Sequence, residues 1–175
     1  MICVYVGRRG RGKTLTMVKD AYIYYKNGRT IISNMEGLHF PHVYMDNEEI
    51  KKLDKNSNID NVVLLIDELQ IFFDSRRSMK KGNIDFSNFV QQIRKRGVDI
   101  LGTTQFTNSI DKRLRDHTDI IAQPNFIKDF LVCEVTYIDV TSTEDIFSNG
   151  IPDSIQTTFD CREVFKLYNT NAMVK

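Results

Sequence analysis

The sequence predicts an α/β fold with a mainly parallel central sheet flanked by helices. Three observations lead to this prediction: short apolar runs typical of buried strands, amphipathic stretches between them, and polar residues directly after several strands. Strands that alternate with helices favour parallel pairing, because a parallel connection needs a long crossover. The chain has 175 residues, so we expect one domain, residues 1–175, with a single core.

Apolar spacing places the elements along the chain. Ile2, Val4 and Val6 lie in a short run ended by glycine, which is typical of a buried strand. Val62–Ile66 is apolar throughout and too short for a core helix, so we expect a central strand buried on both faces. In chain order the sequence predicts strand 2–6, helix 15–25, strand 30–33, helix 47–53, strand 62–66, helix 86–96, and strands 98–104, 119–122 and 131–140.

Two details refine these elements. The helix at 47–53 is predicted to begin at Asn47 as its cap, with acidic residues in its first turn. His39 and His42 flank a proline, which breaks any regular element that would aim both imidazoles at a metal, so we expect them in a loop.

Composition excludes several classes of protein. Cys3, Cys133 and Cys161 are widely spaced and odd in number, which predicts reduced thiols, no disulfide and no zinc site. No apolar run approaches the roughly 18 residues of a membrane helix, and the N-terminus lacks the features of a signal peptide. We therefore expect a soluble intracellular protein.

The net charge of +1 hides an uneven distribution. Residues 1–75 are balanced, residues 76–115 carry 10 Lys and Arg against 3 acids, and residues 116–175 carry 4 against 10. A basic middle segment favours either an anionic partner or head-to-tail contact between copies of the chain. A solvated charged face is the alternative interpretation.

Residues 7–14 read Gly-Arg-Arg-Gly-Arg-Gly-Lys-Thr, which satisfies the phosphate-binding pattern G-x-x-x-x-G-K-[ST] between a strand and a helix. The glycines let successive N–H groups and the helix N-terminus face a triphosphate. We expect Lys13 to reach the β- and γ-phosphates of ATP and the Thr14 hydroxyl to bind Mg²⁺. The arginines of the loop are not required by the pattern and face phosphates, a neighbouring subunit or solvent. The predicted nucleotide-binding residues are Gly7, Arg8, Arg9, Gly10, Arg11, Gly12, Lys13, Thr14 and Leu15.

Asp67 and Glu68 follow the apolar strand 62–66. We expect Asp67 to hold Mg²⁺ through water and Glu68 to polarise the attacking water. Gln105 ends the following strand, where its amide can bond both the γ-phosphate and water and so sense the nucleotide state. A polar cap at a strand end is the alternative interpretation of Gln105.

Arg113 and Arg115 lie just past Gln105 on a predicted exposed loop. Phosphoryl transfer builds negative charge, and an arginine supplied by a neighbouring subunit can neutralise it. Either arginine is a candidate for that role; surface ion pairs with Asp111 and Asp116 are the alternative.

A second basic loop, residues 75–82, contains four cations and no acid. In a ring-shaped assembly it could face the axial hole and grip a nucleic-acid backbone without reading bases, although a disordered solvent loop fits the composition nearly as well. No helix-turn-helix or zinc-finger pattern is present, so binding is expected to be independent of sequence. The candidate contacts are Arg76, Arg77, Lys80 and Lys81.

With these motifs the chain resembles the FtsK/HerA superfamily of P-loop ATPases, specifically the small viral genome-packaging ATPases, and is similar to the zonular-occludens-toxin-like ATPases of filamentous phages. The resemblance covers most of the chain. It rests on segments 7–14, 64–68, 94–105 and 110–115, and extends weakly to 164–170, which is similar to the Tyr-Asp/Asn-Thr ending common in these proteins.

The resemblance implies a RecA-like core, a homo-oligomeric ring that usually has six subunits, and ATP hydrolysis that drives double-stranded DNA into a preformed capsid. It carries the phosphate and Mg²⁺ roles to Lys13 and Thr14, the metal and water roles to Asp67 and Glu68, and the sensor role to Gln105. The chain shows no extension before its first strand and no membrane segment, whereas the toxin-like relatives generally carry one, so we expect the packaging branch.

For a packaging protein we expect the host cytoplasm, including a capsid vertex, as the location and a capsid protein as a further partner. The arginine that acts in trans stays open among Arg94, Arg96, Arg113 and Arg115.

Three other functions remain open. A zonular-occludens-toxin-like phage assembly or export ATPase shares every motif. A nucleoside or nucleotide kinase shares the P-loop and the size, but the adjacent Asp67-Glu68 pair and Gln105 count against it. A non-motor scaffolding protein could use the nucleotide only as a switch, with its acidic C-terminal segment docking on a capsid protein.

Overall fold

The computed structural model describes residues 1–53, 57–72, 88–105, 115–141 and 153–169. Within these ranges eight strands form one sheet. The strands are β1 (Ile2–Val6), β2 (Thr30–Ser33), β3 (Val43–Tyr44), β4 (Val62–Ile66), β5 (Asp99–Thr104), β6 (Ile120–Ile127), β7 (Val132–Asp139) and β8 (Ser154–Asp160). The α-helices described in full are α1 (Lys13–Lys26), α2 (Asn47–Lys51) and α3 (Cys161–Phe165).

The strand order is β3-β2-β4-β5-β1-β6-β7-β8. All pairs from β3 to β6 are parallel, and the last two pairs, β6 with β7 and β7 with β8, are antiparallel. The predicted α/β fold with a mainly parallel sheet is confirmed. Because β5 lies between β1 and β4, the loops that follow these three strands open at the same edge of the sheet.

Strand β4 is buried along its whole length, as its apolar sequence predicted. Leu64 and Ile66 belong to the core on one face of the sheet, and Val63 and Leu65 to the core on the other. Each such side chain contributes about 1.5–3 kcal/mol through its removal from water. Because β4 is packed on both faces, the position of the backbone at its end is well defined for the residues that follow.

Helix α1 packs on the second face. It begins directly after Gly12, and its buried residues include Leu15, Met17 and Val18. The predicted stop at Asn27-Gly28 is confirmed: Asn27 caps the helix, and Gly28 adopts a φ of 82°. The phosphate-binding pattern therefore lies in the predicted context, between a strand and a helix.

The predicted cap of α2 was wrong. Asp46, not Asn47, caps the helix: its carboxylate accepts a hydrogen bond from the Glu49 N–H at 2.7 Å, and the Glu49 carboxylate accepts one from the Asp46 N–H at 2.8 Å. This reciprocal pair satisfies two N–H groups, which a cap at Asn47 would leave without these partners. The helix ends at Lys51, earlier than predicted.

The predicted helix at 86–96 is only partly helical where the structure describes it. Residues 88–90 are helical, but Ile93–Arg96 forms a 3-10 turn. The hydrogen bonds tighten to three-residue spacing, from the Gln92 N–H to the Phe89 carbonyl at 2.9 Å and from the Lys95 N–H to the Gln92 carbonyl at 3.1 Å. Phe89 and Ile93 are nevertheless buried, as the amphipathic pattern predicted.

Several elements extend beyond the sequence prediction. β6 continues to Ile127 instead of ending at residue 122. β3, β8 and α3 were not predicted. Among the described residues no helix is both long and apolar enough to span a bilayer.

Candidate active site

The loop between β1 and α1 depends on glycine at two positions. Gly10 and Gly12 have φ values of 77° and 89°, in the left-handed region that other residues rarely adopt. A Cβ at Gly12 would also lie 3.1 Å from the Cys133 Sγ and 3.2 Å from the Phe126 Cβ, whereas a Cβ at Gly10 would meet nothing within 4 Å. The loop is therefore packed tightly against β6 and β7 at Gly12 and is open at Gly10.

Hydrogen bonds fix the same loop to β6. The Phe126 N–H donates to the Arg11 carbonyl at 3.1 Å, and the Arg11 guanidinium donates to the Asn125 side-chain oxygen. The Arg11 side chain thus holds the loop to the sheet in this structure. Arg8 is exposed and uses its carbonyl to accept from the Lys13 ammonium at 3.2 Å.

Lys13 is the first residue of α1, and its ammonium folds back across the loop. Partial burial lowers the pKa of Lys13 below its usual value; Asp67 and Glu68 act in the opposite direction, and Arg9 adds to the lowering. An incoming polyphosphate would supply negative charge beside this ammonium and favour its charged form. The site is therefore prepared for an anion.

Thr14 and Asp67 bring two oxygen ligands together from different elements. The Thr14 hydroxyl donates to the Asp67 Oδ1 at 3.4 Å, and the Thr103 hydroxyl donates to the same carboxylate oxygen. Mg²⁺ is commonly held by one or two protein oxygens together with water and phosphate. Thr14 and Asp67 fit such a site, in which phosphate and water would complete the coordination of Mg²⁺.

The strands beside β4 hold Asp67 and Glu68 from both sides. Asn34, which follows β2 and is 0% exposed, forms hydrogen bonds with both the N–H and the carbonyl of Asp67. From β5, the Thr103 Oγ1 accepts from the Glu68 N–H at 3.0 Å. Glu68 itself has a φ of 62°, a left-handed conformation that disfavours residues other than glycine by about 1–2 kcal/mol. The contact from Thr103 helps to hold that conformation.

One cavity, of about 210 Å³, collects the predicted chemical residues. It lies where β1, β4 and β5 end, and its lining includes Lys13, Thr14, Asp67, Glu68 and Gln105. The structure thus brings these predicted residues to one place, and Arg9 and Gly10 line the cavity with them.

Three further residues of this cavity were not predicted as site residues from the sequence: Gln70, Thr103 and Thr104. The Gln70 Oε1 is buried and has no hydrogen-bond partner among the described residues. A buried acceptor of this kind is costly unless water or a ligand donates to it. Thr103 and Thr104 had a sequence signal, since they are the last two residues of the strand that leads to Gln105; Gln70 had none.

A second cavity, of about 320 Å³, adjoins the first. It shares Gly10, Lys13, Thr14 and Asp67 with the first and is also lined by Leu15, which is 3% exposed. Gly12 lines it as well, and its other lining residues come from the loop after β2, the end of β6 and the segment 161–169: Met35, Phe126, Phe165, Tyr168 and Asn169.

The candidate arginines and the basic loop lie apart from these cavities or outside the described residues. Arg115 is exposed. Arg96 donates to the Ser57 carbonyl and lies over the Phe89 ring at 6.0 Å, so it is engaged within its own chain. The predictions for Arg113, for the side chain of Arg94 and for the loop residues Arg76, Arg77, Lys80 and Lys81 fall outside what the structure describes.

A strand-loop-helix phosphate site beside an Asp-Glu pair, on a mainly parallel sheet, is the arrangement of a P-loop ATPase with a RecA-like fold. A sequence model of the Zonular occludens toxin (Zot) family matches residues 1–172. The chain therefore belongs to the Zot family. Among curated protein sequences, none matches.

Solved structures support this fold. The N-terminal domain of zonular occludens toxin from Neisseria meningitidis is similar at 22% identity and a TM-score of 0.64, over 96% of this chain and 98% of that one. The genome packaging NTPase B204 of Sulfolobus turreted icosahedral virus 2, in complex with sulfate, is similar at 15% identity and a TM-score of 0.60, over 89% and 94%. The same NTPase with ATP-gammaS gives 18% identity and a TM-score of 0.53, over 70% and 72%.

Proposed function

We propose that this protein is an ATP-driven motor that moves double-stranded DNA during assembly of a virus particle. The observation that carries the proposal is the cavity in which Lys13, Thr14, Asp67, Glu68 and Gln105 meet. That set contains the groups a P-loop ATPase needs to bind phosphate, hold a metal and orient water. Membership of the Zot family and the likeness to a genome packaging NTPase support the viral setting.

The residues divide the chemistry among them. Lys13 binds the β- and γ-phosphates. Thr14 would hold Mg²⁺ directly and Asp67 through water, and the bound metal would neutralise charge on the phosphates. Glu68 orients a water towards the γ-phosphorus and accepts its proton as the new P–O bond forms and the bond to the leaving ADP breaks. Gln105 bonds the same water and the γ-phosphate.

The proposal includes a homo-oligomeric ring, usually of six subunits in the proteins this chain resembles. Charge that develops during phosphoryl transfer is neutralised by an arginine of the adjacent subunit, with Arg113 and Arg115 as candidates. A monomer would then hydrolyse ATP slowly, because its site lacks that arginine.

Two versions of the motor differ in what the DNA passes through. In the first, DNA enters a preformed capsid and a capsid protein is the docking partner. In the second, the chain serves phage assembly or export, which the family match over residues 1–172 favours. In both versions DNA is gripped through its phosphates without regard to sequence.

Mg²⁺-dependent phosphate release tests the proposal, measured at low salt over a range of protein concentrations with and without duplex DNA. We expect turnover to rise with both concentration and DNA, and to fall about 100-fold or more in Glu68→Gln while ATP binding persists. Lys13→Ala should lose ATP binding as well. Phosphate release that never exceeds that of Glu68→Gln would reject the motor. Stimulation by duplex DNA supports the motor, and robust turnover that duplex DNA does not change contradicts a motor that moves duplex DNA.

A further inference from the structure

The two cavities of the site share a common part and then diverge. Gly10, Lys13, Thr14 and Asp67 line both. Beyond this shared part, the first cavity continues to Glu68 and Gln105, and the second continues to aromatic side chains. The site therefore has a polar end and an aromatic end, with the phosphate-binding residues between them.

The polar end fixes the direction in which a nucleotide must lie. If the proposed ATPase function is correct, and this inference rests on it, the terminal phosphate faces Glu68, because that carboxylate must reach the attacking water. The polyphosphate then occupies the shared part near Lys13. The remaining part of the nucleotide, its sugar and base, leaves the shared part towards the second cavity.

The second cavity has walls that suit a planar base. Phe126 and Phe165 are both partly buried, and their rings lie 5.9 Å apart at 86° to one another, so they form a right-angled apolar corner. Tyr168, which is 7% exposed, adds a third ring to the lining. Burial raises the pKa of Tyr168 to about 12, with Asp67 and Cys161 adding to the effect, so its hydroxyl is protonated at physiological pH.

The aromatic wall is held in place at both ends. At one end the Cys161 N–H donates to the Leu131 carbonyl at 2.8 Å. At the other end the His39 N–H donates to the Leu167 carbonyl and the Asn169 N–H donates to the Gly37 carbonyl, each at 2.7 Å. The segment 161–169 is thus positioned without a ligand, and a prearranged surface lowers the entropic cost of binding.

We propose that Phe165 and Tyr168, together with Phe126, bind the base and ribose of the nucleotide, so that the C-terminal segment 161–169 forms the nucleoside half of the ATP site. Aromatic surfaces bind planar bases through stacking and through removal of apolar area from water. Tyr168 and Asn169 belong to the Tyr-Asn-Thr sequence at residues 168–170, to which the proposed phosphate chemistry gives no role.

Two ligands distinguish the contributions of the two halves of the site to binding. ATP carries the phosphates and the nucleoside, and inorganic tripolyphosphate carries the phosphates alone. We expect Phe165→Leu and Tyr168→Leu to weaken ATP binding about fivefold to tenfold in calorimetry, while tripolyphosphate binding changes less than about twofold. The matched control is Phe130→Leu, because Phe130 is 70% exposed on the turn between β6 and β7 and lines neither cavity. It should bind both ligands as the wild type does.

Fluorescence provides a second readout that does not depend on loss of packing. The chain contains no tryptophan, so Phe165→Trp introduces a single reporter. ATP should change its emission and tripolyphosphate should not, if the base stacks at this position. Thermal unfolding of each variant shows whether it is folded.

The proposal is overturned if ATP binds Phe165→Leu and Tyr168→Leu as tightly as the wild type, or if both ligands weaken equally. It is overturned as well if the emission of Phe165→Trp does not respond to ATP that calorimetry shows to be bound. If ATP binding depends on Phe165 and Tyr168 as expected but the wild-type protein never hydrolyses ATP, the proposed function is rejected and the nucleoside site is supported. Wild-type protein that binds neither ligand rejects both.

Discussion

The side-chain amide of Asn34 forms two hydrogen bonds with the backbone of Asp67. Its Oδ1 accepts from the Asp67 N–H at 2.9 Å, and its Nδ2 donates to the Asp67 carbonyl at 3.0 Å. Asn34 follows β2, the strand that pairs with β4 on one side. The carboxylate proposed to hold the metal is therefore positioned from a neighbouring strand as well as from its own.

Asn34→Ala should lower both stability and turnover. It leaves two partly buried backbone groups of Asp67 without these partners, which we expect to reduce the free energy of unfolding by about 1–3 kcal/mol. We also expect kcat to fall at least about tenfold with little change in ATP affinity, since Lys13 is untouched. Urea unfolding and steady-state kinetics measure the two effects. Asn47→Ala is the control, because it removes the contact of Asn34 with Asn47 at 2.9 Å and leaves both bonds to Asp67 in place. An unchanged kcat in Asn34→Ala would contradict this role.

Thr103→Val should slow hydrolysis more than Thr103→Ser. The Thr103 hydroxyl donates to Asp67 and accepts from the Glu68 N–H, and valine keeps the shape of threonine but neither bond. We expect kcat to fall about tenfold or more in Thr103→Val and only a few-fold in Thr103→Ser. Equal kcat values for the two variants would show that the hydroxyl does not position the pair.

Gly12→Ala and Gly10→Ala separate two kinds of cost. Both positions have a left-handed φ, so alanine at either should cost about 1–2 kcal/mol in free energy of unfolding. Only at Gly12 does the new methyl approach Cys133 and Phe126, which should add about 1–3 kcal/mol through overpacking. Chemical unfolding of both variants measures the difference. Similar decreases in the free energy of unfolding would mean that β6 and β7 shift to accommodate the added methyl group.

Alkaline pH should weaken the protein through two tyrosines that share one carboxylate. The Asp20 Oδ2 accepts from the Tyr5 hydroxyl at 2.7 Å and from the Tyr137 hydroxyl at 2.8 Å. Burial raises the pKa of both tyrosines well above the usual value; Asp20 adds to the shift in each, and Cys3 acts on both. Because the folded state favours their protonated form, their contribution to stability is complete below pH about 10 and is lost as the pH rises above it.

Urea unfolding across this range measures the effect, with the double variant Tyr5→Phe, Tyr137→Phe as the reference. Above pH about 10 the wild type should lose stability more steeply than the variant, by up to about 1.4 kcal/mol per pH unit for each tyrosine. Parallel slopes would show that these hydroxyls are free to ionise in the folded protein.

The sequence predicted best what depends on strong local patterns. Five consecutive apolar residues at Val62–Ile66 fit only a strand buried on both faces, and the structure has the same bounds. The phosphate loop was predicted because its glycines, lysine and threonine lie at fixed spacing between a strand and a helix. The meeting of Lys13, Glu68 and Gln105 followed from the edge that parallel strands share.

Other elements depend on contacts between distant parts of the chain. β8 is mostly exposed, and its own sequence does not indicate a strand. It is a strand because it pairs with β7 along its length. The cap of α2 had a local signal, Asp46 followed three residues later by Glu49. The prediction chose Asn47 instead, because asparagine is also a favourable cap residue. Asn34 and the corner of Phe126 and Phe165 join residues far apart in sequence, so no local pattern predicts them.

The close fit of Gly12 over Cys133 links two positions that lie far apart along the chain. A residue larger than cysteine at position 133 would crowd the phosphate loop at Gly12, even though β7 contributes no residue to the cavity lined by Lys13 and Glu68. The shape of the phosphate loop thus limits which residues can occupy position 133 of β7, and a larger residue there would require the loop to move. The constraint acts in one direction, because Gly12 is already required by its φ of 89°, whereas position 133 is restricted by the space that the loop leaves.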